Sequence, residues 1–160
     1  MIKLTTLLKQ VITEGGNVFG TTAPIQKDKI EPTLEKFVEE LGRIFPTKAS
    51  AFTSFEKLGS AGKKDMSGDI DVAFPVAHLT KDGKPDLEGW GLDEEKFNEY
   101  FNIFRKRART ATESQTKLKA MLTLIAEKIN EKSTILQADP KSAGSNSLFL
   151  AFPQYGVDGE

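Results

Sequence analysis

Residues 58–74 read Leu58-Gly59-Ser60-Ala61-Gly62-Lys63-Lys64-Asp65-Met66-Ser67-Gly68-Asp69-Ile70-Asp71-Val72-Ala73-Phe74. The order is strand, glycine turn, strand. Ala51 to Leu58 holds Phe52 and Phe55 and predicts a short strand, which Gly59-Ser60 interrupts. Ala61 to Gly68 is small, polar and basic. Asp69 to Phe74 then predicts a second strand that stops at Pro75.

Asp69 and Asp71 stand two residues apart, so on a strand both leave one face while Ile70 and Val72 turn to the core. Aspartate is depleted in strands, and a pair of carboxylates on one face suits magnesium or manganese, which bind through one or two carboxylates plus substrate phosphates. In a two-metal arrangement, one ion serves the attacking hydroxyl and the other the triphosphate. Gly59-Ser60 suits a phosphate clamp: glycine lets backbone amides approach phosphate oxygens and the serine hydroxyl adds a donor. Lys63 and Lys64 can reach outer phosphates as flexible point charges or remain solvated. The plainer reading of the stretch is a tight turn followed by a strand with solvent-facing aspartates.

Outward from this stretch, residues 3–14 place Leu4, Leu7, Leu8, Val11 and Ile12 at helical spacing and predict a helix ended by Gly15-Gly16. A loop follows, with turn residues and alternating charge up to Pro32. Leu34, Phe37, Val38, Leu41 and Ile44 predict a second helix from Thr33, closed by Pro46. Residues 80–92, with three glycines and Pro85, predict an exposed loop. Asp93 is placed to cap a helix carrying Phe97, Tyr100, Phe101 and Phe104, whose helical spacing marks core rather than a base-stacking platform. Gln115 to Asn130 predicts another core helix. Thr134–Ala138 and Ser147–Phe152 predict a hairpin, and 153–160 a closing turn.

Leu58-Gly59-Ser60, eight residues, then Asp69-Ile70-Asp71-Val72 resembles the glycine-serine and Asp-x-Asp signature of the polymerase-beta-like nucleotidyltransferases. Glu14-Gly15-Gly16-Asn17-Val18-Phe19-Gly20 and Phe152-Pro153-Gln154-Tyr155 are similar to bacteriophage-encoded members of that superfamily. The resemblance implies an α+β fold, a small mixed β-sheet flanked by helices, with the two aspartates on one strand and a third carboxylate on a neighbouring strand. It also implies transfer of a nucleoside monophosphate from a nucleoside triphosphate to an acceptor hydroxyl on a tRNA, a protein or a small molecule. Asp69 and Asp71 would be catalytic and hold metal; Gly59, Ser60, Lys63 and Lys64 would bind nucleotide. The chain departs from the pattern at the third carboxylate, since neither Asp139 nor Asp158 lies inside a predicted strand with apolar flanks. The expectation is a chain that stops short of it. The rival expectation is a catalytically impaired nucleotide-binding or interaction module of phage origin, and a third is a structural phage protein.

The 160 residues are 38% hydrophobic and 28% charged, which fits one domain with a sizeable core. The net charge of −1 gives no global basic field to draw the chain to nucleic acid. The densest basic cluster, Arg105-Lys106-Arg107 with Arg109, reads first as a solvated helix end and second as a contact for an acceptor's phosphates. The absence of cysteine excludes disulfides and thiolate zinc sites, and the single histidine, His78, reads as a surface or loop residue after Pro75. No apolar run has signal-peptide or transmembrane character, so the expected location is the cytoplasm, the host's if the chain is phage-encoded.

Overall fold

The computed structural model describes residues 2–9, 25–53, 55–58, 66–67 and 69–155. In chain order the elements are β1 (Ile2–Lys9), β2 (Ile25–Gln26), α1 (Lys27–Ile44), α2 (Ala49–Phe52), β3 (Glu56–Leu58), β4 (Met66–Ser67), β5 (Asp69–Phe74), β6 (Thr80–Lys81), β7 (Lys84–Pro85), α3 (Leu87–Trp90), α4 (Glu94–Arg107), α5 (Glu113–Lys132), β8 (Gln137–Ala138) and β9 (Ser147–Pro153). Short 3-10 turns lie at Pro46–Lys48, Val76–Leu79 and Pro140–Ser142. The architecture is α+β, as the motif implies. A five-stranded mixed sheet in the order β3-β5-β1-β9-β8 forms its centre, and β2-β4 and β6-β7 form two small ribbons.

The first element corrects the sequence reading. Residues 2–9 form the middle strand of the sheet, although their leucines have helical spacing. Ile2 and Leu4 are buried while Lys3 between them is exposed, the alternation of a strand. Pairing on both sides settles the conformation, because β1 runs antiparallel to β5 and parallel to β9. Tertiary pairing of this kind overrides local spacing. The proposed helix stop at Gly15-Gly16 and the loop after it lie outside the described residues.

Helix α1 begins at Lys27, six residues before the expected Thr33, and takes Pro32 into its second turn. A proline there removes one backbone donor. The compensating stripe is Ile30, Thr33, Phe37, Glu40, Leu41 and Ile44, all buried, which extends the apolar face a full turn earlier than the leucines alone suggest. Ala51–Phe52 belongs to the helical turn α2, and only Glu56–Leu58 of the expected strand is extended. The expected loop at 80–92 is a packed segment. It forms a hairpin turned at Asp82 (φ 55°) and Gly83 (φ 77°), then α3, whose Trp90 is buried. Lys81, Asp82, Gly83, Lys84, Glu88 and Gly91 are exposed, as expected, and the difference is one of order: the glycines and proline mark defined turns.

Asp93 caps α4 by accepting from the amides of Glu95 (2.8 Å) and Lys96 (3.3 Å). Phe97 is buried, and Tyr100, Phe101 and Phe104 pack against the core as partly buried residues. Thr112 and Gln115 open α5 with a reciprocal capping box. One side of the sheet, through Leu4, Phe74, Leu148 and Leu150, meets Leu41 of α1 and Leu122, Ile125 and Ile129 of α5. Phe45, Phe52 and Trp90 complete this layer, with ring centroids 5.0 Å apart for Phe45–Trp90 and 5.8 Å for Phe52–Trp90. No helix among the described residues is long and apolar enough to cross a membrane.

Candidate functional site

β5 lies between β3 and β1, and the ladder fixes which residues surround Asp71: Leu58 stands opposite it on β3 and Thr5 on β1. Asp69 stands two residues earlier on the same strand, opposite Leu7. The strand expected to carry both aspartates therefore forms with the expected bounds. Gly59, Ser60, Lys63 and Lys64 lie outside the described residues. Leu58, the residue directly before Gly59, is the sheet neighbour of Asp71. The start of β3 is held by Phe55, whose ring lies 6.0 Å from Phe37, 5.7 Å from Phe52 and 5.6 Å from Phe74.

The Asp71 side chain is 21% exposed, and its two oxygens have different surroundings. Oδ2 lies 3.5 Å from the ammonium of Lys3, a side chain half open to solvent. Oδ1 is buried and has no hydrogen-bond partner among the described residues. A buried carboxylate oxygen without a partner keeps the desolvation cost of a charged group, about 1–3 kcal/mol or more. Such an oxygen fits a divalent cation, which would supply the missing electrostatic partner with water and phosphate oxygens filling the remaining positions. Among the described residues no cluster of three or more acidic or histidine side chains could hold a metal ion by itself.

The third carboxylate can now be sought by register. The row through Asp71 runs Leu58, Asp71, Thr5, Phe149, and Asp139 joins it by donating its N–H to the Phe149 carbonyl at 3.1 Å. Asp139 is thus three strand spacings from Asp71, about 14 Å, too far to share an ion. Its carboxylate instead accepts from the Lys141 amide at 3.1 Å, capping the 3-10 turn at Pro140. Asp158 lies outside the described residues. Among the described residues of the two strands beside β5, the one acidic position is Glu56, opposite Ala73.

Other candidates separate from this site. His78 is half-buried beside Phe74, ring centroids 6.2 Å apart, and its carbonyl accepts the Trp90 indole N–H at 2.9 Å. It lies in the 3-10 turn Val76–Leu79 between strands, partly exposed, with one face of the ring against Phe74. Arg105, Lys106, Arg107 and Arg109 are exposed at and beyond the end of α4, as expected of a solvated helix end. A groove of about 590 Å³ runs between α1 and the Phe52–Phe55 segment, and among the described residues Glu31, Glu35 and Glu39 line it with one cation, Lys36. That charge opposes a triphosphate. Sequence reasoning passed over Lys3 and Thr5, whose signal was the alternation hidden beneath the leucine spacing of residues 2–9.

No protein-family model matches the chain, and neither a curated protein nor a solved structure does.

Proposed function

We propose that the chain is a nucleotidyltransferase that takes a nucleoside triphosphate with magnesium or manganese and transfers its nucleoside monophosphate to an acceptor hydroxyl. The observation that carries this reading is the buried, unpartnered Oδ1 of Asp71, on a strand whose neighbour ends one residue before Gly59-Ser60. Asp69 and Asp71 hold the cation, which supplies Lewis-acid polarisation of phosphoryl oxygens and offsets charge on the departing pyrophosphate. Gly59 and Ser60 offer donors to the phosphates, and Lys63 and Lys64 add mobile positive charge. The acceptor oxygen bonds to the α-phosphorus, the bond from that phosphorus to the bridging oxygen breaks, pyrophosphate leaves, and the hydroxyl proton passes to water. The acceptor class is a tRNA, a protein or a small molecule.

A second reading is a module that binds nucleotide without turnover. It is favoured by the register: β1 has no acidic residue, and Asp139 is distant and used as a cap. Two measurements separate these readings. Titration calorimetry with each common nucleoside triphosphate and magnesium should give binding that Asp69→Ala plus Asp71→Ala abolishes; unchanged binding in the double variant sinks both. Sustained pyrophosphate release from labelled triphosphate with candidate acceptors then selects the enzyme, and binding without release selects the module.

A further inference from the structure

We infer that the groove between α1 and the Phe52–Phe55 segment receives the C-terminal end of α4 from a second copy of this chain, a contact independent of the nucleotide reading. The groove, about 590 Å³, has an apolar floor and an acidic rim. Leu34, Val38 and Phe55 lie partly buried on the floor, together with the buried Phe52 and Val72. Glu31, Glu35 and Glu39 follow one another at four-residue steps, so they form one stripe along α1, about 12 Å long. All three are exposed, and Lys36, 3.7 Å from Glu39, offsets only part of their charge. Such a groove repels nucleic acid and favours an occupant that is apolar on one side with cations beside it.

The chain carries an element of that description. Ile103 on α4 is 41% exposed. Lys106 and Arg107 stand three and four residues after it, so all three share one face of the helix. Arg105 and Arg109 add to the local positive charge, and all four cations are exposed without an ion pair among the described residues. The helix dipole accounts for cations at a C-terminal end, but not for an open isoleucine among them. Isolated exposed apolar residues are common on protein surfaces, and it is the matching of Ile103 and its cations to an apolar floor with an acidic rim that distinguishes this one. The chain as a whole has a net charge of −1, so long-range repulsion between copies is small and the two opposite patches are free to attract. In the docked arrangement Ile103 meets Leu34, Val38 and Phe55, while Lys106 and Arg107 meet the carboxylates of Glu35 and Glu39. Each copy offers one groove and one helix end, so the contact closes into a pair about a two-fold axis or continues from copy to copy.

The test is sedimentation velocity on the full chain across a concentration series, at low ionic strength and in about 1 M salt, where the screening length falls to about 3 Å. The sedimentation coefficient should rise with concentration in the first buffer and lose that dependence in the second. Two charge reversals then assign the surfaces. Glu35→Lys plus Glu39→Lys makes the groove and the helix end both positive, and Lys106→Glu plus Arg107→Glu makes both negative, so each variant alone should stay monomeric. Mixed together they should associate again, because each supplies the charge the other lacks. Thermal melting checks the folding of both variants, and the single exchanges Glu35→Lys and Arg107→Glu replace either one that melts early. A wild-type chain that is monomeric at every concentration overturns the inference, as does association that persists in high salt or in both reversal variants. A mixture of folded variants that stays monomeric rejects the pairing of these two surfaces. A monomeric wild type whose groove binds a labelled cationic amphipathic peptide of unrelated sequence assigns the groove to another partner and also overturns self-association.

Discussion

Replacing Asp71 should make the ligand-free protein more stable and the liganded protein less so. The starting point is Oδ1, buried without a partner among the described residues. Leaving a charged acceptor unsatisfied costs about 1–3 kcal/mol. Against this stands the pair with Lys3, which is 50% exposed and therefore contributes at most about 1 kcal/mol. Asp71→Leu keeps the branched shape of the side chain and removes both oxygens, so the net change without cation is a gain of about 1 kcal/mol. For a chain of this length that raises the melting temperature by about 3 °C. Wild type at a ligand concentration a hundred times its dissociation constant gains about 2.7 kcal/mol, or roughly 8 °C by the same scaling. Asp71→Leu should gain almost nothing. Thermal melts of both proteins in chelator and in magnesium with ATP should therefore cross, with Asp71→Leu ahead in the first buffer and behind in the second. A variant that melts several degrees below wild type in chelator would refute the reasoning about Oδ1, and an intact ligand shift in the variant would refute the assignment of the site.

Three further outcomes follow from the packing and titration of other groups. Leu4 is buried against both core helices through the sheet, so Leu4→Ala should cost about 3 kcal/mol in urea unfolding, whereas Lys3→Ala should change stability little; equal effects would contradict the strand. The phenol of Tyr100 donates to Glu127 at 2.5 Å, and that bond, with burial, pushes its pKa from 10.0 up to about 12. Because the folded value lies above the unfolded one, the stabilisation is whole below pH 10.0 and fades as pH rises towards 12. Tyrosinate absorbance should show a transition near pH 12 that Tyr100→Phe removes and Glu127→Gln moves downward. Glu40 accepts from Arg43 (2.5 Å) and Ser133 (2.7 Å), chiefly the former, and its pKa is held below 4.5 against the opposing effect of burial. Its stabilisation is present above pH 4.5 and lost as pH falls through the lowered value, so Glu40→Gln should flatten the acid limb of the stability curve.

The helices α4 and α5 were legible because their information is local. Asp93 caps the amides that follow it, and Leu118, Met121, Leu122, Ile125 and Ile129 repeat at the period of a helix. The β5 strand and the β8–β9 pairing were legible for a similar reason, since short apolar runs are bounded there by proline and by turn residues. The candidate carboxylates were readable as a motif, and Asp71 does stand on the strand expected. What surrounds Asp71 was not readable, because its neighbours Thr5 and Phe149 come from 66 residues earlier (71 − 5) and 78 later (149 − 71).

By itself the sequence determined where most chain segments bend, which faces of α4 and α5 are apolar, and that two aspartates share one strand. Only the tertiary structure decided that residues 2–9 are a strand. Their spacing satisfies a helix, but a place between β5 and β9 pairs the backbone on both edges and buries Ile2 and Leu4, which an isolated helix at the chain's start would not do. The same placement sets Lys3 beside Asp71 and aligns Phe149 in its row. Those neighbours are fixed by hydrogen-bond register between strands far apart in the chain, and register depends on the whole sheet rather than on any local run of residues.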